Sequence, residues 1–174
     1  MNKLSDEQLF KLFQKGDRKS FDKLVVRYQD KLITFIYMIV GDADLAEDLA
    51  QETYLKVVIN KNSYNETGAK FSTWMYTIAK NAAFTELRKK TRRKTDAFSE
   101  IKKGGEDQVG KPIDIADTLQ SPEDQVMQTF MRKEIQLSLS KLKDDFRMII
   151  ILRDIQELSY DDISTLLEVP IGTV

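Results

Sequence analysis

Apolar residues recur at intervals of three and four along most of this chain, which is the spacing of amphipathic α-helices. The first such segment follows Ser5, which together with Gln8 has the pattern of a capping box at a helix N-terminus. In this short helix, Leu9, Leu12 and Phe13 are expected to face inward. The pattern therefore predicts that the chain opens with a helix that packs on a core.

Two longer helices are predicted next. A regular apolar stripe over residues 21–39 indicates a core helix, and Gly41 with Asp42 then interrupts the pattern. A third helix is predicted over about residues 44–58. Residues 60–70 are rich in asparagine and contain a glycine, so they are expected to form a loop.

The third helix carries a polar face opposite its apolar one. This face consists of Asp48, Gln51, Glu52 and Leu55, which stand at i, i+3, i+4 and i+7. Two carboxylates and an amide around an exposed leucine would suit docking onto a basic partner helix. An ordinary water-facing surface is the alternative that the spacing leaves open.

A fourth helix is predicted over residues 71–93, and it has two different faces. Phe71, Met75, Ile78 and Ala82 are spaced to lie against a core. A second stripe offers an amide that can read a base edge, a ring that can stack, and guanidinium groups that fit phosphate. The members of this stripe are Thr77, Asn81, Phe84, Arg88 and Arg92.

Positive charge is concentrated in the same helix. From Lys80 to Lys94 there are seven basic residues against one acidic residue, a local charge of +6 in a chain of net charge −1. The remainder of the chain therefore carries −7. A solvated basic helix end is one interpretation, because cations favour a helix C-terminus. The aromatic residues and Asn81 between the basic residues favour nucleic-acid binding instead.

The second half of the chain is predicted to be a separate helical domain. Residues 95–120 have no apolar period and are acidic, which predicts a flexible linker between domains at residues 1–94 and 121–174. In the second domain, two short helices are separated by turns near residues 156–158 and 167–173. This arrangement is typical of a helix-turn-helix unit whose recognition helix would start near Thr173 and is missing here. The predicted fold class is therefore all-α, with two small helical domains.

Composition narrows the possible chemistry. The chain of 174 residues has no cysteine and no histidine, so thiolate nucleophiles, zinc–thiolate sites and histidine bases are excluded. An enzyme is therefore disfavoured, and we expect no cofactor and no metal. No apolar run is long enough to cross a membrane, and the N-terminus lacks a signal-peptide core. We expect a soluble intracellular protein that contacts nucleic acid only locally or with a partner.

Four segments together resemble the extracytoplasmic-function group of sigma factors, within the sigma-70 family of bacterial RNA polymerase subunits. Residues 41–54 are similar to the family's acidic polymerase-docking helix, and residues 71–81, followed by Arg88, are similar to its promoter-melting helix. Residues 145–153 resemble the start of its fourth region, and residues 158–174 resemble the helix-turn-helix that follows. The resemblance covers both halves of the chain in the family's order. The pair Asp161–Asp162 departs from it, since glutamate is usual there.

The resemblance implies roles for particular residues. Asp48, Gln51, Glu52 and the neighbouring Leu55 would bind the clamp helices of the largest subunit of core RNA polymerase. The fourth helix and the loop at 60–70 would capture the unpaired strand of the promoter's minus-ten element, and the loop would hold a flipped base. The candidate DNA-binding residues are Asn62, Tyr64, Trp74, Thr77, Lys80, Asn81, Phe84, Arg88, Arg92 and Arg93.

The resemblance thus predicts a transcription initiation factor that acts in the bacterial cytoplasm. It would bind core polymerase, direct promoter recognition and melting, and be held inactive by an anti-sigma factor. Because the recognition helix is absent, no residues are assigned to the minus-thirty-five element. Two alternatives remain: a helix-turn-helix regulator that binds DNA without polymerase, and a helical protein-interaction adaptor. The promoter sequence, the regulon, the inducing signal and the oligomeric state are not readable from the sequence.

Overall fold

The computed structural model describes residues 4–100 and 122–174, with side chains described for 4–92 and 131–174. Every regular element in these ranges is helical, which confirms the predicted all-α class. The N-terminal region contains α1 (Asp6–Gln14), α2 (Arg18–Val40), α3 (Ala43–Ile59) and α4 (Phe71–Glu100). The C-terminal region contains α5 (Pro122–Ser140), α6 (Asp144–Ile150) and α7 (Tyr160–Leu167). The linker predicted at 95–120 is helical over residues 95–100, and its remainder lies outside the described residues.

Local capping explains where the N-terminal helices begin. The Ser5 hydroxyl accepts from the backbone N–H of Gln8, whose side chain accepts in return from the backbone N–H of Ser5, so the predicted capping box is confirmed. Asp17 and Asp42 cap α2 and α3 in the same way, each accepting from a backbone N–H of the first turn. These side chains satisfy donors that a helix N-terminus otherwise leaves without a partner.

Helices α1 to α4 enclose one core, and the packing of α1 differs from the prediction. Leu9 and Phe13 are buried as expected, but Leu12 is 38% exposed and Phe10 is fully buried. The ring of Phe10 lies within 5.6 Å, centroid to centroid, of four other aromatic rings, those of Phe13, Tyr64, Phe71 and Trp74. The prediction for Leu12 was therefore wrong, because α1 packs on both the loop at 60–70 and α4 and so buries the neighbouring stripe.

The C-terminal helices contribute buried apolar side chains to the same hydrophobic cluster, among them Met148, Leu152, Ile163 and Leu166. Between α6 and α7 the chain makes a π-helical turn over Ile151–Ile155. Ser159 then caps α7 by accepting from the backbone N–H of Asp162. The predicted turns on either side of this short helix are confirmed.

Candidate polymerase and nucleic-acid interfaces

The predicted docking residues of α3 share one exposed face. Asp48, Gln51 and Glu52 are exposed, and Leu55 is 63% exposed. The Glu52 carboxylate lies 2.7 Å from the Lys56 ammonium one turn along. The opposite side of α3 is buried and holds Ala46, Leu49, Ala50, Thr53 and Val57. The four candidates therefore lie together on a helix whose orientation is fixed by its buried side.

The structure adds Ile59 to this face. Ile59 follows Leu55 by one helical turn, and its side chain is 78% exposed. Leu55 and Ile59 together form an exposed apolar pair on this face, whereas a single exposed apolar residue is ordinary on a protein surface. Ile59 lies one residue beyond the helix end predicted at residue 58, although its i+4 spacing from Leu55 indicates the same face.

The candidates on α4 line a cleft between the two regions. Of these, Asn81, Arg88 and Arg92 are exposed, whereas Lys80 and Phe84 are half-buried. These five side chains form part of one wall of a cleft of about 1060 Å³. The opposite wall is contributed by the C-terminal region, through Asp144, Asp145, Met148, Ile149, Leu167, Val169 and Thr173. The cleft thus brings amide, aromatic and guanidinium groups together.

Two other α4 candidates lie outside the lining of this cleft, and a third lies outside the described side chains. Thr77 is half-buried, and its hydroxyl donates to the backbone carbonyl of Thr73 at 2.9 Å. Trp74 is half-buried within the aromatic cluster around Phe10. The side chain of Arg93 lies outside the described residues.

The loop at 60–70 is attached to α1 by side-chain contacts. The Gln14 amide donates to the backbone carbonyls of Lys61 at 2.7 Å and Tyr64 at 3.3 Å. Lys11 forms an ion pair with Glu66 at 3.2 Å. A small pocket of about 200 Å³ lies between α1 and the loop. These contacts give the loop a defined position beside the start of α4.

The two loop candidates are placed differently. Asn62 is exposed, whereas Tyr64 is buried and its hydroxyl donates to the Ala69 carbonyl at 3.0 Å. Burial, with further contributions from Glu7 and other nearby carboxylates, raises the pKa of Tyr64 to about 12. Tyr64 therefore positions the loop in this conformation rather than presenting its ring to a ligand.

Among the described residues, no cluster of carboxylates has the composition of a metal site. None of the described helices combines the length and apolarity needed to span a bilayer.

The comparisons with known proteins identify both regions. The model for Sigma-70 region 2 matches residues 24–93, which include α3 and most of α4, and the model for Sigma-70, region 4 matches residues 132–174. The chain is similar to the ECF RNA polymerase sigma factor SigW of Bacillus subtilis, with 35% identity over 94% of this chain and 86% of the relative. The RNA polymerase sigma-H factor of Pseudomonas aeruginosa is 34% identical over 97% of this chain and 86% of its own length.

Solved structures agree on the fold. CnrH, in complex with the cytosolic domain of CnrY, superposes with a TM-score of 0.70 at 15% identity, covering 97% of this chain and 86% of that chain. The sigma factor RpoE of Bartonella quintana, in complex with the anti-sigma factor NepR, gives a TM-score of 0.63 at 25% identity, covering 89% and 87%. The matched regions, the relatives and the fold together show that this chain belongs to the sigma-70 family, in its extracytoplasmic-function group.

Proposed function

We propose that this chain is a promoter-specificity subunit that binds core RNA polymerase through α3 and opened promoter DNA through α4 and the loop before it. The observation that carries this proposal is the pair of surfaces on one helical unit. An acidic and apolar face lies on α3, and a basic and aromatic face lies on α4, both within the segment that matches Sigma-70 region 2. The site of action would be the cytoplasm, where bacterial RNA polymerase works.

The docking surface consists of Asp48, Gln51, Glu52, Leu55 and Ile59. Exposed leucine and isoleucine side chains supply apolar area that gains from being covered, at roughly 25 cal/mol per Å². The surrounding carboxylates favour a basic partner and speed its encounter. This combination fits a basic helix of the polymerase clamp.

The DNA-binding surface consists of Asn81, Phe84, Arg88 and Arg92, with the exposed Asn62 near the start of the loop at 60–70. Arginine forks suit phosphate, the Phe84 ring offers a stacking platform, and the Asn81 amide can read a base edge. Because the chain as a whole has a net charge of −1, such contacts would be local and would depend on polymerase to bring DNA close.

An anti-sigma factor is a further expected partner. RpoE of Bartonella quintana was solved with the anti-sigma factor NepR, and this chain is 25% identical to it over 89% of the present sequence. Such an inhibitor would act by covering one or both of the surfaces described above.

The experiment that tests the DNA-binding surface measures binding of the chain–polymerase complex to a duplex that contains an unpaired segment of randomised sequence. Asn81→Ala and Arg88→Ala are each expected to weaken binding by about 1–3 kcal/mol, roughly 5-fold to 150-fold. Arg88→Ala should also reduce the slope of log affinity against log salt by about one. Arg18→Ala, at the exposed start of α2, is the matched control and should have no effect. Equal binding by all three variants would contradict the assignment of α4.

A further inference from the structure

The loop at 60–70 begins with a turn that is formed by its own hydrogen bonds. The backbone N–H and the hydroxyl of Ser63 both donate to the carbonyl of Asn60, at 2.9 and 2.7 Å. Asn62 lies in this turn, and its side chain is exposed. The Asn62 amide can both donate and accept, as the edge of a base does. Where this amide lies relative to α4 depends on how the turn is attached to the rest of the protein.

The turn is attached to α1 by Gln14, the last residue of that helix. The half-buried side-chain nitrogen of Gln14 donates to the carbonyls of Lys61 at 2.7 Å and of Tyr64 at 3.3 Å. An amide nitrogen carries two N–H donors, so one side chain can satisfy both carbonyls. Because these two carbonyls lie on either side of Asn62, their common donor fixes the backbone from which the Asn62 side chain projects.

The other polar contacts between α1 and the loop are less directional. Lys11 and Glu66 form an ion pair at 3.2 Å, but both side chains are exposed, and exposed pairs of this kind contribute little. The Lys61 ammonium lies 5.1 Å from the centroid of the Phe13 ring. Both contacts are made by long lysine side chains, which can follow a displaced backbone. The hydrogen bonds of Gln14 end on the loop backbone itself and depend on its exact position.

We propose that Gln14 is a positioning residue that sets the base preference of the loop at 60–70, by fixing the turn that carries Asn62. The group recognised is an unpaired base of a DNA strand that core polymerase holds open. Gln14 does not touch this base and acts through the loop backbone. This inference rests on the proposed function, because it assumes that the loop contacts opened DNA.

Three substitutions separate hydrogen bonding from packing and from charge. Gln14→Glu keeps the size of the side chain, but a carboxylate only accepts and would face two carbonyl acceptors. Gln14→Ala removes the side chain and leaves room for water. A donor role therefore predicts a larger effect for Gln14→Glu than for Gln14→Ala, whereas a role in filling space predicts the reverse. Lys15→Gln makes the same change in net charge at the exposed neighbouring residue and is the matched control.

The first test needs no DNA and measures how firmly the loop is held. The free full-length chain is treated briefly with tetranitromethane, and nitration of Tyr64, which is 8% exposed, is compared by mass spectrometry with that of Tyr160, which is 50% exposed. In the parent chain Tyr64 should react at least tenfold more slowly than Tyr160. Gln14→Glu should speed nitration of Tyr64 at least threefold, Gln14→Ala should speed it less, and Lys15→Gln should leave it unchanged.

The second test measures base preference. Complexes of each variant with core polymerase bind a pool of duplexes that contain an unpaired segment of randomised sequence, and the bound duplexes are sequenced. Asn62→Ala identifies the positions of the segment that the loop reads, as those where enrichment of a base is lost. Gln14→Glu should lower enrichment at least threefold at the same positions and leave it unchanged at the positions affected by Asn81→Ala. Lys15→Gln should enrich the same bases as the parent.

The outcomes separate this inference from the proposed function. Unchanged nitration of Tyr64 in Gln14→Glu, or unchanged enrichment where Asn62→Ala loses it, would overturn the role of Gln14 and leave the DNA-binding surface in place. An equal loss of enrichment at every position would also overturn it, because it would indicate a general structural defect. So would a larger effect of Gln14→Ala than of Gln14→Glu. If the parent complex does not bind the pool, the proposed function fails, and the role of Gln14 fails with it.

Discussion

Phe10 is predicted to be the residue on which the N-terminal core depends most. Its ring is fully buried, and four aromatic rings lie with centroids 4.8–5.6 Å from its own. Replacing a buried phenylalanine by alanine costs about 3–5 kcal/mol, and the loss of several aromatic pairs places Phe10→Ala in the upper half of that range. Since a domain of this size is stable by about 5–15 kcal/mol, Phe10→Ala would remove about a quarter of that stability or more.

The assay is urea unfolding followed by tryptophan fluorescence. Trp74 is the single tryptophan of the chain, and its ring centroid lies 5.6 Å from that of Phe10, so the signal reports on this core. If Phe10→Ala does not fold, Phe10→Leu extends the series and should cost about 1–2 kcal/mol. Leu12→Ala is the control from the same helix and should cost less than about 1 kcal/mol, because Leu12 is 38% exposed.

The result that would refute this reasoning is a larger loss of stability for Leu12→Ala than for Phe10→Leu. Such a result would mean that α1 buries the stripe predicted from the sequence rather than the one observed. The α1 helix would then also not contact the loop at 60–70 as observed, where the Gln14 side chain donates to two loop carbonyls. The position of the candidate base-binding loop would then need another explanation.

Three further predictions follow from single residues. Ile59→Glu should weaken binding to core polymerase at least tenfold in a pull-down titration. Val26→Glu on α2 is the control and should not weaken binding, because Val26 is 79% exposed and Ile59 78% exposed but only Ile59 lies on the docking surface. Equal effects of the two substitutions would remove Ile59 from that surface. Glu157 has a left-handed backbone conformation (φ 56°), which a β-branched residue adopts only with strain. Glu157→Val should therefore lower the free energy of unfolding by about 1 kcal/mol or more, whereas Glu157→Asn should not. Equal melting temperatures of the two variants would contradict this. The pKa of Asp162 lies below its ordinary 3.8, so the ionised carboxylate stabilises the folded chain above pH 3.8, and this contribution is lost as the pH falls through the lowered pKa. Asp162→Asn should therefore reduce stability at about pH 7 and progressively less as the pH falls below 3.8. A loss that does not change with pH would argue against the ion pair with Lys70.

Much of the fold could be predicted because local signals and packing agree. The capping box at Ser5 and Gln8, the break at Gly41 and the cap at Ser159 are decided by hydrogen bonds within a few residues. The end of α4 was placed too early because the change to an acidic composition, and not a glycine or a proline, set the predicted boundary. The helix continues to Glu100 with helix-compatible residues throughout.

The burial of individual residues could be predicted less well, since it depends on elements distant in sequence. In α1 the stripes through Leu12 and through Phe10 both have helical spacing, and only the arrangement of α4 and the loop decides between them. The hydroxyls of Thr73 and Tyr76 donate to Asp162 and Gln156 of the C-terminal region, and no local sequence pattern indicates these contacts. The spacing of residues along α3 and α4 predicted the two candidate surfaces. It did not predict that the C-terminal region forms the second wall of the cleft beside α4.

The measurement that tests the central claim most directly is co-elution of this chain with bacterial core RNA polymerase on a sizing column, beside a Gln51→Ala, Glu52→Arg variant. We expect the parent chain to co-elute and the variant to elute alone, because the substitutions remove an amide and reverse a charge on the exposed face of α3. An Asp22→Arg variant, altered at an exposed carboxylate of α2, should co-elute like the parent. Co-elution of all three would remove the docking surface from α3, and a parent chain that does not bind polymerase would contradict the proposed function itself.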